Sequence, residues 1–124
     1  MKLVIAIDDS KVALIQVQKY VQKNFPSCQV LTSTNPIEGV ELVKQHKDRV
    51  DLVIIDYNMK EMNGLDAVSQ FQAFLDLSKV VICSANTQKV LIDRATEKGL
   101  KFIEKPLTQE KIDHLVLPLK TKAS

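Results

Sequence analysis

Short runs of apolar, mostly β-branched residues recur at 3–7 (Leu-Val-Ile-Ala-Ile), 28–32 (Cys-Gln-Val-Leu-Thr), 52–55 (Leu-Val-Ile-Ile), 79–83 (Lys-Val-Val-Ile-Cys) and 101–103 (Lys-Phe-Ile). Their starts lie 25, 24, 27 and 22 residues apart. Near-continuous hydrophobicity, rather than alternation, is what a strand covered on both faces requires. The segments between them change to a helical period. Leu14, Val17 and Val21 share a face in 10–24, Ile37, Val40 and Val43 in 36–46, Leu65, Val68, Phe71 and Leu75 in 64–76, and Leu91 and Ala95 in 87–98. Asn35-Pro36-Ile37-Glu38 reads as a helix start, with Asn as N-cap, Pro at the first position and Glu closing a capping box. A last helix is predicted from Thr108, ending before Pro118, whose ring and missing N–H oppose its continuation.

The alternation is (βα)5. It predicts one α/β domain over 1–124, a doubly wound parallel five-stranded sheet with helices on both faces and right-handed crossovers. The length of 124 residues suits one domain, and no linker, low-complexity stretch or internal repeat divides it. Hydrophobic residues at 45% and charged residues at 26% exclude disordered and fibrous classes. No apolar run approaches the ~20 residues of a membrane-spanning helix, so no membrane insertion is expected. The run at 3–7 is too short for the core of a secretory signal and leads straight into Asp8-Asp9. Cys28 and Cys83 sit in separate apolar runs without a CxxC or Cys/His cluster, which fits a reducing, cytoplasmic setting. The net charge of +2 gives no reason to expect direct nucleic-acid binding. The charge is uneven, however: residues 98–124 hold 6 lysines against 3 acids.

In open α/β sheets, ligands bind beyond the carboxyl ends of the strands. The first strand ends in Asp8-Asp9, the third in Asp56, the fourth in Ser84 and the fifth in Lys105-Pro106. Three carboxylates at one sheet edge repel one another unless a cation sits among them. A divalent ion with few protein oxygens and several retained waters points to Mg²⁺ rather than Ca²⁺. Asp56 is then either a ligand only or also a nucleophile toward phosphorus, forming an aspartyl phosphate. Lys105 can neutralise phosphoryl oxygens and Ser84 can donate a hydrogen bond to one of them. Each residue has a plainer alternative. Asp8-Asp9 can be an N-cap pair, Asp56 a turn residue, Ser84 a cap and Lys105-Pro106 a strand exit. It is their joint placement that points to a site.

These residues, with Asn58-Met59, Met62-Asn63-Gly64 and Ser84-Ala85, resemble the receiver domain of bacterial two-component response regulators, in particular single-domain chemotaxis-type members. The resemblance extends from Lys2 to about Leu117. It implies the flavodoxin-like strand order 2-1-3-4-5. It further implies Asp56 as phosphoacceptor, Asp9 as a direct Mg²⁺ ligand, Asp8 acting mainly through metal-bound water, and the Asn58 backbone carbonyl as a ligand. Ser84 and Phe102 occupy the two switch positions. Asn58 and Asn86, two residues past Asp56 and Ser84, are expected to flank the water that hydrolyses the acyl phosphate and so to tune its lifetime. Two departures stand out: Lys60 where the family often has proline, and Leu100 after Gly99 where a small residue is more usual.

The function expected from this reading is a phosphoacceptor signalling module, not an enzyme beyond its own phosphorylation and dephosphorylation. The donor would be a histidine kinase or a phosphotransfer protein, and the output would be a downstream protein docking on the face formed by 87–117, which carries Lys98, Lys101 and Lys111. An alternative is a receiver cut from a longer regulator with a DNA-binding or enzymatic output domain. An aspartate-nucleophile phosphatase is a poorer reading, because such enzymes place a second acid two residues after the nucleophile, where this chain has Asn58. A flavin-binding protein is also a poor reading, since it would want a Ser/Thr/Gly-rich phosphate loop after the first strand, where Asp8-Asp9-Ser10 would repel a phosphate.

Overall fold

The computed structural model describes residues 1–122. Five strands and five helices alternate: β1 (Leu3–Ile7), α1 (Lys11–Asn24), β2 (Gln29–Ser33), α2 (Pro36–Gln45), β3 (Leu52–Asp56), α3 (Gly64–Phe71), β4 (Val80–Ser84), α4 (Lys89–Glu97), β5 (Lys101–Glu104) and α5 (Gln109–Lys122). All strand pairs are parallel, and the order is β2-β1-β3-β4-β5. This is the flavodoxin-like arrangement that the sequence implied.

The side-chain period of a strand divides the core into two layers. Leu3, Ile5 and Ile7 of β1, Val53 and Ile55 of β3, and Val80 and Ile82 of β4 pack with Val43, Val68, Phe71, Leu91 and Ala95 from α2, α3 and α4. Val4, Ala6, Leu52, Ile54, Val81 and Cys83 take the opposite face, with Leu14, Val17 and Val21 of α1 and Ile112, Leu115 and Val116 of α5. β1, β3 and β4 are buried along their whole length, which is why they read as unbroken apolar runs. The outer strands β2 and β5 are half-covered.

Four local expectations need correction. The helix from Thr108 does not stop before Pro118 but runs through it to Lys122. Burial of Ile112, Leu115 and Val116 anchors α5 in the turns before Pro118, and the helix continues past the one backbone bond that Pro118 cannot make. α3 ends at Phe71 rather than 76; Leu75 is still buried, in the turn that follows. β4 begins at Val80 rather than Lys79, because Leu77–Lys79 form a 3-10 turn whose start is capped by Asp76, its carboxylate accepting the Ser78 N–H at 3.0 Å. Ile37 of α2 is 58% exposed, not part of the buried stripe. The face of α2 that meets the sheet is Pro36, Gly39 and Val43, all buried, one step around the helix from Ile37.

Gly39 permits that close approach. A Cβ there would lie 2.7 Å from Ile7 Cδ1 and 2.9 Å from both Ile7 γ-carbons. The expected result of Gly39→Ala is a lower urea midpoint. Overpacking strain of about 1–3 kcal/mol exceeds the ~1 kcal/mol that alanine gains in a helix. Adding Ile7→Val, which removes the nearest atom, recovers part of the loss, as equilibrium denaturation of the single and double variants will show.

Candidate phosphoacceptor site

Strand register determines which residues meet at the carboxyl edge. Continuing the alternation, Asp8 and Asp56 share the parity of Val4, Ala6, Leu52 and Ile54, on the α1/α5 side. Lys105 shares the parity of Ile103, which packs on that same side. One carboxylate oxygen from each of Asp8, Asp9 and Asp56 lies within 4.8 Å of the others. Asp56 is 6% exposed and Asp8 7%, whereas Asp9 is open to solvent. The Lys105 Nζ bridges the two buried acids, at 2.8 Å from Asp8 Oδ2 and 3.1 Å from Asp56 Oδ1. The structure thus brings Asp8, Asp9, Asp56 and Lys105 together.

The N-cap of α1 is Ser10, whose Oγ accepts the Ala13 N–H at 3.2 Å. That removes capping as the role of Asp8-Asp9. Asp8 is instead oriented by two donors, the Ser10 N–H to Oδ1 at 2.9 Å and Lys105 to Oδ2. The Asn58 backbone N–H, close after Asp56 in the chain, lowers its carboxyl slightly. Asn58 itself is exposed. Gly64, at the start of α3, is a feature that sequence reading gave no role. Its N–H donates to the Tyr57 carbonyl at 2.9 Å, and a Cβ would fall 2.6 Å from the Asp56 carbonyl oxygen. The signal available in the sequence was a glycine at the first helical position after an Asn cap, where most residues would be tolerated.

Ser84 is fully buried on the opposite parity, in line with Val80 and Ile82, and its Oγ accepts the Asn86 N–H at 2.9 Å. Asn86 in turn commits its Oδ1 to the Gln88 N–H at 2.9 Å. Phe102 pairs in register with Ile82 and is half-buried against the same layer as Ser84's strand-mates. Ser84 and Phe102 therefore lie on the other face of the edge from the acids. Cys83 stands beside Asp56 in the β3–β4 register and is 1% exposed. Burial pushes its thiol up to about 12, with Lys105 pulling it down and the two acids pushing it further up. Of the lysines expected on the 87–117 face, Lys98 and Lys101 are exposed, but the Lys111 ammonium is held by backbone carbonyls.

Burial first, and the Asp8 charge second, hold the Asp56 carboxyl above its ordinary range, against the attraction of Lys105. Desolvation is the largest single effect on Lys105 and lowers it, but its hydrogen bond and charge pairing with Asp8, together with Asp56, carry it above its usual value. Three carboxylates and one ammonium leave two negative charges, which a single divalent cation balances. The donors are hard oxygens, and Asp9 keeps one side open to water. This suits Mg²⁺, which retains several waters and needs few protein ligands.

The family model described as the response regulator receiver domain matches residues 4–117. The chain belongs to the response regulator receiver domain family. The receiver is 38% identical over 76 residues to the chemotaxis protein CheY of Listeria monocytogenes, a match covering 60% of this chain and 64% of that protein. It is 36% identical over 81 residues to the CheY of Thermotoga maritima, covering 64% of this chain and 66% of that one. Each match thus spans slightly less than two thirds of the relative. Among solved structures, the CheX–CheY complex with BeF3 and Mg²⁺ from Borrelia burgdorferi superposes with a TM-score of 0.84 at 26% identity, covering 95% of this chain and 88% of that one.

The raised Asp56 carboxyl makes a prediction about stability in metal-free buffer. A carboxyl whose folded pKa lies above its unfolded value favours folding at low pH and loses that contribution as pH rises through the folded pKa. Ionised Asp56 therefore costs stability near neutrality. Asp56→Asn is expected to raise the urea midpoint at neutral pH in EDTA. The gain should shrink as pH falls through the folded pKa of Asp56 toward the ordinary carboxylate value of about 3.9. Denaturation curves of both proteins across this range check the sign.

Proposed function

We propose that this receiver accepts a phosphoryl group on Asp56 from the phosphohistidine of a histidine kinase or phosphotransfer protein, and signals by binding a partner differently once phosphorylated. The observation that carries the reading is the Asp56 carboxylate, 6% exposed, with Lys105 at 3.1 Å and two further acids within 4.8 Å. In the transfer, one Asp56 oxygen bonds phosphorus as the donor's P–N bond breaks, and that bond's electron pair stays with the imidazole nitrogen. Asp9, Asp56 and the Asn58 carbonyl would hold Mg²⁺, with Asp8 acting mainly through metal-bound water, and the ion would then offset charge on the phosphoryl oxygens. Lys105 meets that charge from the other side, and the buried Asp8 holds the ammonium in place. No further enzymatic turnover is assigned beyond this transfer and hydrolysis of its product.

For output, Ser84, whose Oγ now accepts the Asn86 N–H, must move to donate its own hydroxyl hydrogen to a phosphoryl oxygen. That shift opens space for the half-buried ring of Phe102, which has no hydroxyl to desolvate on turning inward. The surface altered is that of α4, β5 and α5, within 87–117, and it is here that a downstream protein is proposed to dock. The Borrelia relative's structure as a CheX complex, with BeF3 and Mg²⁺ present, supports partner binding by a receiver of this kind. The setting proposed is cytoplasmic; no described helix is long and apolar enough to cross a membrane.

Incubation with Mg²⁺ and acetyl phosphate is expected to add one phosphoryl group, read by intact mass. The gain should be absent in Asp56→Asn and in excess EDTA. Incorporation that survives either change removes Asp56, or the metal, from the reaction. A second expectation concerns lifetime. Asn58→Arg and Asn86→Leu place bulk beside the path of the hydrolytic water, so the phosphorylated protein should decay more slowly in each, measured after removal of the donor.

A further inference from the structure

The first turn of α5 carries a lysine where local chemistry favours an acid. Thr108 caps this helix, its Oγ1 accepting the Lys111 N–H at 3.2 Å and its carbonyl the Ile112 N–H at 3.1 Å. Three residues after a threonine cap, Glu or Gln would complete a capping box. The helix dipole also favours negative charge there. Lys111 occupies that position, and its ammonium turns back to the preceding loop. It donates to the Glu104 carbonyl at 2.7 Å and to the Pro106 carbonyl at 3.0 Å. These two residues flank Lys105, whose own N–H donates to the Ser84 carbonyl at 2.9 Å. The backbone around Lys105 is thus fixed once by β4 and twice by Lys111.

We propose that Lys111 is a positioning residue for phosphoryl transfer. By gathering the carbonyls on either side of Lys105, it sets the direction in which that side chain leaves the chain, and so keeps its ammonium at the Asp56 oxygen. This rests on the reading of Asp56 as acceptor and extends it to a residue that touches no reacting atom. A lysine side chain is a long flexible arm with a compact charge at its tip, so a modest rotation of its backbone moves that charge a large distance. With acetyl phosphate as donor, one Asp56 oxygen bonds phosphorus, the P–O bond to the acetyl group breaks, and acetate leaves with the electron pair. The phosphoryl charge is met by Lys105 only where Lys111 has placed it.

The test compares stability with rate. Lys111→Gln supplies the side chain a capping box uses, so the urea midpoint should stay level or rise. With saturating Mg²⁺ and acetyl phosphate, intact mass should show phosphorylation slowed about tenfold, the scale of losing a residue that orients another. Lys111→Arg, which can still donate to both carbonyls, should keep most of the rate. In a Lys105→Met background, itself slow, Lys111→Gln should add no further loss, because the two residues act as one unit. A wild-type rate for Lys111→Gln beside a slow Lys105→Met overturns the proposal and leaves the acceptor reading standing. A loss of equal size that persists in Lys105→Met also overturns it, since it marks attraction of the anionic donor rather than placement of Lys105. A wild-type rate for Lys105→Met overturns the assigned role of Lys105, and the proposal with it.

Discussion

The bridge that Lys105 makes between Asp8 and Asp56 is the contact around which the carboxyl edge of the sheet is organised. Burial and the neighbouring Asp8 charge push the Asp56 carboxyl above its ordinary range, and the ammonium between the two acids opposes that. Several neighbouring choices serve that arrangement. Ser10 takes the cap of α1, which leaves Asp8 free to face Lys105. Gly64 lets α3 begin against the Asp56 backbone, where any side chain would collide. The loop after β5 is tied to β4 through the Lys105 N–H and to α5 through Lys111. A charged group whose arm is flexible needs a rigid base, and the fold supplies one.

The period of two along the strands separates two kinds of work. Asp8, Asp56 and Lys105 continue the face that packs on α1 and α5. Ser84 and Phe102 belong to the face that packs on α2, α3 and α4. A change at the acids can reach the other layer through the short loops at the strand ends and through the Lys105 N–H bond to the Ser84 carbonyl. The contact from Ser84 Oγ to the Asn86 N–H lies in one of those loops. The two kinds of residue sit at one sheet edge, yet they are anchored in separate cores.

The strand-ending acids were legible because each rests on strong local signals, whereas the strand order followed only from the family resemblance those residues carry. The β1, β3 and β4 runs are apolar throughout, and a charge after such a run has nowhere to go but the sheet edge. What was not legible depended on packing between distant elements. Ile37 fits a helical stripe by spacing, but Gly39 over Ile7 decides which side of α2 meets the sheet. Pro118 is a helix breaker by propensity, yet burial of the turn before it carries the helix onward. Lys111 counted in the sequence only as part of a basic excess. Its contacts with Glu104 and Pro106 follow from the path of a loop that no spacing rule describes.

Cys83 has a bearing on chemical fidelity. It neighbours Asp56 across the β3–β4 ladder, and an aspartyl phosphate is an acylating agent. A thiolate in that place would attack the acyl carbon, expel phosphate and leave a thioester joining two strands. With the thiol pushed up to about 12 by burial, the thiolate is scarce near neutral pH, and the thiol itself is a far weaker nucleophile. Sulfur packs there as a small apolar group, and for a phosphoryl group on Asp56, as proposed, water would be the species left to return the carboxylate to its free form.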